Sequence, residues 1–100
     1  MNGLPPDFDP SFFVGRRLDS VTIAEFSTFL SFDGGIVVSR ERGFDERYEN
    51  VIGQSVVAAK VEWPGTVILD FGANDIIVLA EDESPYESYS IVGPGVAVYV

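Results

Sequence analysis

Cysteine and histidine are both missing from this chain, and lysine, methionine and tryptophan occur once each. Without cysteine there can be no disulfide and no thiolate metal site, and a reducing cytoplasm is compatible with the chain. Without histidine the commonest general base and metal ligand is gone, so catalysis would fall to carboxylates, hydroxyls and Lys60. No apolar run is long enough to cross a bilayer as a helix. The opening "MNGLPPDFDP" has neither the basic n-region nor the apolar stretch of a secretory signal, and none is expected. Bases are scarce as a class: six Lys and Arg stand against sixteen Asp and Glu, a net charge of -10. Residues 1–60 hold nine of the acids and all six bases, whereas 61–100 hold seven acids and no base. Such a flank repels phosphate backbones and anionic lipid, which excludes nucleic-acid and membrane-surface binding as expected functions. It attracts basic proteins and speeds their encounter at low salt.

What is present is apolar and aromatic. Of the 100 residues, 46% are hydrophobic and 13% aromatic, enough for one domain with one core. That domain is organised by a repeat. "VGRRLDSVTIAEFSTFLSFDGGIVVS" from Val14 lies over "IGQSVVAAKVEWPGTVILDFGANDIIVL" from Ile52, with two one-residue insertions in the second copy. Gly15 falls on Gly53, Leu18 on Val56, Ile23 on Val61, Thr28 on Thr66, Phe32 on Phe71, and Ile36-Val37-Val38 on Ile76-Ile77-Val78. A third start is visible at Val92-Gly93. Each copy reads as three strands. "TFLSF" and "TVILDF" alternate so that Leu30 and Phe32, or Val67, Leu69 and Phe71, share a face. "DGG" at 33–35 and "GAND" at 72–75 are tight-hairpin sequences, and "EWPG" at 62–65 suits a type II turn with Trp63 at its tip and Phe26 near the equivalent place.

The expected architecture is all-β, with about eight short strands in a small antiparallel barrel or sandwich. Within a single domain, 1–11 form an extended arm, 12–39 the first repeat and 40–51 a linker with a short helix in "RGFDERYENV". The second repeat is 52–80, and 81–100 form an acidic loop and a C-terminal hairpin around "GPG".

No catalytic residue is singled out, because a small domain without histidine or cysteine has little from which to build a reactive cleft. Glu81 to Glu87 could supply paired carboxylates for a glycosidase, but clustered loop acids are usually solvated. "DFG" at 70–72 lacks the other kinase motifs and is a strand end entering a turn. "DFD" at 7–9 and "EDE" at 81–83 carry oxygen ligands without the regular alternation of a calcium loop, so neither a metal nor a cofactor is expected. Carboxylates spaced like phosphates, imitating DNA, would need a structure to reveal them. Recognition is assigned instead to Trp63, Tyr86 and Tyr89 for contact area and to Asp75, Glu81, Asp82, Glu83 and Glu87 for charge. In a strand Tyr86 and Tyr89 point to opposite faces, so one of them belongs to the core.

The apolar-Gly start, the "LSFDGG" hairpin, the second start "IGQSVV" and the closing "SPYESYSI" together resemble a group of small bacterial all-β domains akin to the compact, acidic immunity proteins of toxin systems. The resemblance runs from Phe12 onward and carries over no functional residue. It implies a bacterial, cytoplasmic, non-enzymatic protein that neutralises a basic protein partner such as a toxin. Two other functions fit the sequence: a module that self-associates through an exposed edge at 96–100, and a small-ligand or sugar binder that stacks its ligand on Trp63.

Overall fold

The structure, a computed structural model, describes residues 4–41, 47–73, 75–80 and 89–100. It is mostly β, as the alternating sequence predicts. The strands are β1 (Leu18–Ile23), β2 (Ser27–Phe32), β3 (Ile36–Glu41), β4 (Ala58–Glu62), β5 (Thr66–Asp70), β6 (Ile76–Leu79), β7 (Tyr89–Gly93) and β8 (Val96–Tyr99), with a short helix α1 (Arg47–Asn50) before β4. All pairings are antiparallel and form a five-stranded sheet, β1-β2-β3-β7-β8, and a three-stranded sheet, β4-β5-β6. The sheets do not close into a barrel, so the architecture is a sandwich.

Period-two patterning puts one side of each sheet inward. Leu30, Phe32, Ile36, Val38, Ile91 and Val98 from the larger sheet meet Val67, Leu69, Ile77 and Leu79 from the smaller one in a single core. Glycine governs how the two repeats meet. Gly15 and Gly53 adopt φ of +87° and +88°, a region open to glycine at little cost. The chain then turns so that the two starts pair with each other. The amide of Gly15 donates to Val56 at 2.8 Å and that of Gly53 to Leu18 at 2.7 Å. The amide of Val56 donates to Arg16 at 2.9 Å and that of Leu18 to Gln54 at 3.0 Å. Adding 38 to a residue of the first copy gives its counterpart, and each bond of these two pairs maps onto the other. The Arg17–Ser55 bridge maps onto itself. A pseudo-two-fold axis therefore passes through that bridge.

The relation reaches further than the strands. A 3-10 turn, Pro10–Phe13, precedes the first glycine as α1 precedes the second, and buried Phe13 corresponds to buried Val51. Residues 1–11 are thus not an extended arm over their described part. Phe8 closes a turn onto Pro5, Asp9 caps the 3-10 turn, and Leu4, Phe8 and Phe12 pack against the core. A bulge also recurs: β1 shifts register between Leu18 and Ser20, while Val57 and Ala58 both address Asp70.

Register corrects the sequence alignment in its last third. Leu30 pairs with Val38 and Leu69 with Ile77, so one insertion suffices, and it lies in the β4–β5 turn. Val38 therefore matches Ile77, not Val78, and Thr28 matches Val67. Burial agrees: Ile77 is 2% exposed and Ile76 42%. A slip of one residue exchanges the two faces of a strand, which is why similar residue types misled the alignment. The third start at Val92-Gly93 does not exist as such; Gly93 ends β7 without a positive φ. Gly65 does not adopt the positive φ that position i+2 of a type II turn requires, so the β4–β5 connection is not the turn that "EWPG" suggests. Of the expected helix 42–51, Arg47–Asn50 is helical; Phe44 lies outside the described residues.

Candidate functional site at the hairpin-tip end

β2, β5, β7 and the closing hydrogen bonds of the core define one end of the sandwich. Thr28, Arg40 and Tyr89 form a transverse row across β2, β3 and β7. From that row the Tyr89 hydroxyl donates to the Gly65 carbonyl at 2.8 Å, and the Arg40 guanidinium donates to the Val78 carbonyl at 3.3 Å and to the Tyr48 hydroxyl. These bonds hold the β4–β5 tip at the same end of the larger sheet as the β1–β2 tip, which begins one residue pair beyond Thr28. Both hairpin tips therefore project from the same end.

Each tip carries a large aromatic that follows a glutamate in the chain, Phe26 after Glu25 in the first copy and Trp63 after Glu62, the last residue of β4, in the second. Phe26 is 74% exposed and Trp63 52%. Ordinary packing would bury rings of this size, and duplication of an exposed one at equivalent tips is not what packing alone produces. Glu62 holds Lys60 only loosely, at 3.6 Å with both side chains solvated, a pair worth little that exchanges readily.

Of the residues the sequence assigns to recognition, the structure places Trp63 here. Asp75 is in the β5–β6 turn, at the other end of β5, where its amide donates to Gly72 at 2.9 Å. Trp63 and Asp75 are therefore not brought together. Tyr89 is a correction: it is 1% exposed, its ring in the core and its hydroxyl on Gly65, so it is the core member of the tyrosine pair and offers no contact area. Glu81, Asp82, Glu83, Tyr86 and Glu87 lie outside the described residues. Leu79–Ala80 and Tyr89, which bracket that stretch, both lie at the tip end. Sequence reasoning noted Phe26 without assigning it a role and passed over Glu25 and Glu62. The repeat carried part of the signal, since the turns that follow the equivalent residues Ile23 and Val61 each hold an exposed ring.

Other surfaces are less pointed. On the outer face of the smaller sheet a groove of about 320 Å³ is lined by Ala58, Ala59, Lys60, Ile68, Asp70 and Ile76. There the Asp70 carboxylate is occupied by the Gly72 amide at 2.7 Å. β8 is an edge strand, as the self-association reading requires. The outer face of the larger sheet is uncharged across two rows, Ser20-Ser31-Val37-Val92-Ala97 and Thr22-Phe29-Ser39-Ser90-Tyr99. In the "DFD" stretch the Asp9 carboxylate accepts from the Ser11 amide at 2.9 Å, and this bond holds its pKa below the usual value. Among the described residues no group of three or more carboxylates converges as a metal site, and no helix is long and apolar enough to cross a membrane. Comparison with family models, curated proteins and solved structures finds no match to this chain.

Proposed function

We propose that the protein is a non-enzymatic binding protein that engages a basic protein partner at the hairpin-tip end of its sandwich, in the manner of an immunity or antitoxin protein. One observation carries the reading. The end that presents two exposed aromatics, Phe26 and Trp63, is also the end where Leu79 and Tyr89 lie, and in the sequence between those two residues every charge is acidic. Exposed aromatics supply contact area at low entropic cost, and surrounding carboxylates steer a cationic partner and fix its orientation. The absence of histidine and cysteine favours binding over catalysis. We place the encounter in the cytoplasm, with which a cysteine-free chain is compatible.

The test is to capture partners from the source cell's extract and then repeat the binding with purified components at about 50 mM and about 500 mM salt. A basic protein bound at low salt, released at high salt and weakened by Trp63→Ala is the expected result. A purified partner that is acidic, or whose binding ignores salt, would remove the charge argument and with it this reading.

A further inference from the structure

The edge of a sheet exposes backbone groups that can template another strand, and proteins defend such edges with charge, bulges or a cover. Among the described residues the two sheets have four edges, and three are defended. β1 carries Asp19 and a register shift between Leu18 and Ser20, and Leu18 bonds to the second start. β4 carries Lys60 and Glu62 and lies against the 3-10 turn Pro10–Phe13. On β6 the Val78 carbonyl is taken by the Arg40 guanidinium. β8 has none of these devices: Val96–Tyr99 pairs with β7 without a shift, and residues 88–100 hold no charged side chain.

The ladder defines which groups are left over. Tyr89 and Val100 exchange both amide bonds, at 3.3 and 2.8 Å. Bonded and non-bonded pairs alternate along an antiparallel ladder, so Ile91–Val98 and Gly93–Val96 exchange bonds as well. Ala97 and Tyr99 therefore point their N–H and C=O away from β7, and among the described residues no partner takes them. Both residues are exposed, Tyr99 at 44%.

We propose that β8 pairs with β8 of a second copy of this chain, antiparallel about a two-fold axis at Val98. In that register Ala97 of each copy faces Tyr99 of the other, and every outward group of both residues is satisfied. Ala97 facing Ala97, or Tyr99 facing Tyr99, would satisfy that residue alone within the strand. The side chains agree with the register. On the outer face each Tyr99 ring lies beside the small Ala97, and on the inner face the two Val98 side chains meet. Each copy carries -10, yet β8 and β7 beside it are uncharged, so two copies meet here without opposing charges at the seam. The pairing is isologous, uses both β8 edges and stops at a dimer. An antiparallel seam also turns the two hairpin-tip ends away from each other, so the dimer leaves both free for a basic partner.

Sedimentation of the full chain tests the association, at concentrations up to about 1 mM and in about 50 mM and about 500 mM salt. A short seam makes a weak dimer, so the expected result is a reversible monomer–dimer equilibrium. Salt should strengthen it by screening the two negative copies, opposite in sign to its effect on a basic partner. The register is read with cysteine, which the chain otherwise lacks. Val98→Cys sets two thiols across the axis with about 4.5 Å between Cα atoms, and should form an intermolecular disulfide faster than the more exposed Ala97→Cys. Ala97→Pro removes an outward donor and no bond to β7, and Ala97→Glu adds like charge at the seam; both should lose the dimer. If the proline variant is unfolded by circular dichroism, the glutamate variant decides. A monomer throughout, a dimer unchanged by Ala97→Glu, or faster crosslinking at position 97 than at 98 overturns the proposal. None of these outcomes bears on the capture of a basic partner, and failure of that capture would leave the dimer standing.

Discussion

The two halves of the molecule share a backbone plan and end in different surroundings. In the first, the helical turn Pro10–Phe13 leads through Gly15 into β1, β2 and β3; in the second, α1 leads through Gly53 into β4, β5 and β6. The third strand of the first half goes on to pair with β7, and β8 follows, making five strands. Among the described residues β6 has one strand neighbour, β5. The outer faces diverge accordingly: small hydroxyls and apolar groups cover the larger sheet, whereas Lys60, Glu62 and Asp70 charge the smaller. What stays alike is the inward face and the junction, where Leu30 matches Leu69, Phe32 matches Phe71 and the amide of each starting glycine donates to the opposite start. Duplication has kept what the core and the axis require and released what they do not.

The strongest way to break that comparison is to open the core on each side in turn. Leu30→Ala and Leu69→Ala remove fully buried side chains at equivalent positions, and each should cost about 2–5 kcal/mol in urea denaturation with a single transition. A separate early transition in Leu69→Ala alone would show that the three-stranded sheet unfolds by itself and that the halves do not share one core.

A finer cut falls on the axis. A Cβ at Gly15 or Gly53 would meet nothing within 4 Å, so Gly15→Ala and Gly53→Ala test only the positive φ. Each should lose about 1 kcal/mol. Equal losses sharpen the two-fold relation, and a clear inequality denies that the two starts are held alike.

The smallest difference is titratable. Asp9 caps the turn of the first half, and the equivalent position of the second half is Arg47 in the sequence. The bond to the Ser11 amide lowers the Asp9 pKa from 3.8. A depressed carboxylate stabilises the fold at pH above its unfolded value, and that contribution fades as pH falls through the lower folded value. NMR titration should place the Asp9 midpoint below 3.8, and Asp9→Ala should remove this acid-sensitive component. A midpoint at or above 3.8 would deny the cap.

Much of this was legible because strand alternation leaves a local trace. Leu30, Phe32, Val67, Leu69 and Phe71 were assigned to one face from spacing alone, and all are buried. The glycine starts were visible because a positive φ narrows the choice of residue. Other features left no such trace. Placing Ile76-Ile77-Val78 one residue off was easy in a run of β-branched residues, where either face could have been the buried one. Tyr89 looked as much like a surface contact as Tyr86, until the Gly65 carbonyl, distant in the chain, accepted its hydroxyl. That Phe26 and Trp63 lie at one end of the molecule follows only from the bonds of Tyr89 and Arg40 to the second hairpin.

The sequence by itself determined the strand period, the acidic balance and the duplication, because these are properties of neighbouring residues and of their sum. Only the tertiary structure decided that the two starts pair across an axis, that β7 joins β3, and that two exposed aromatics on separate hairpins share one end. Those outcomes depend on contacts between residues far apart in the chain, whose partners no local pattern names.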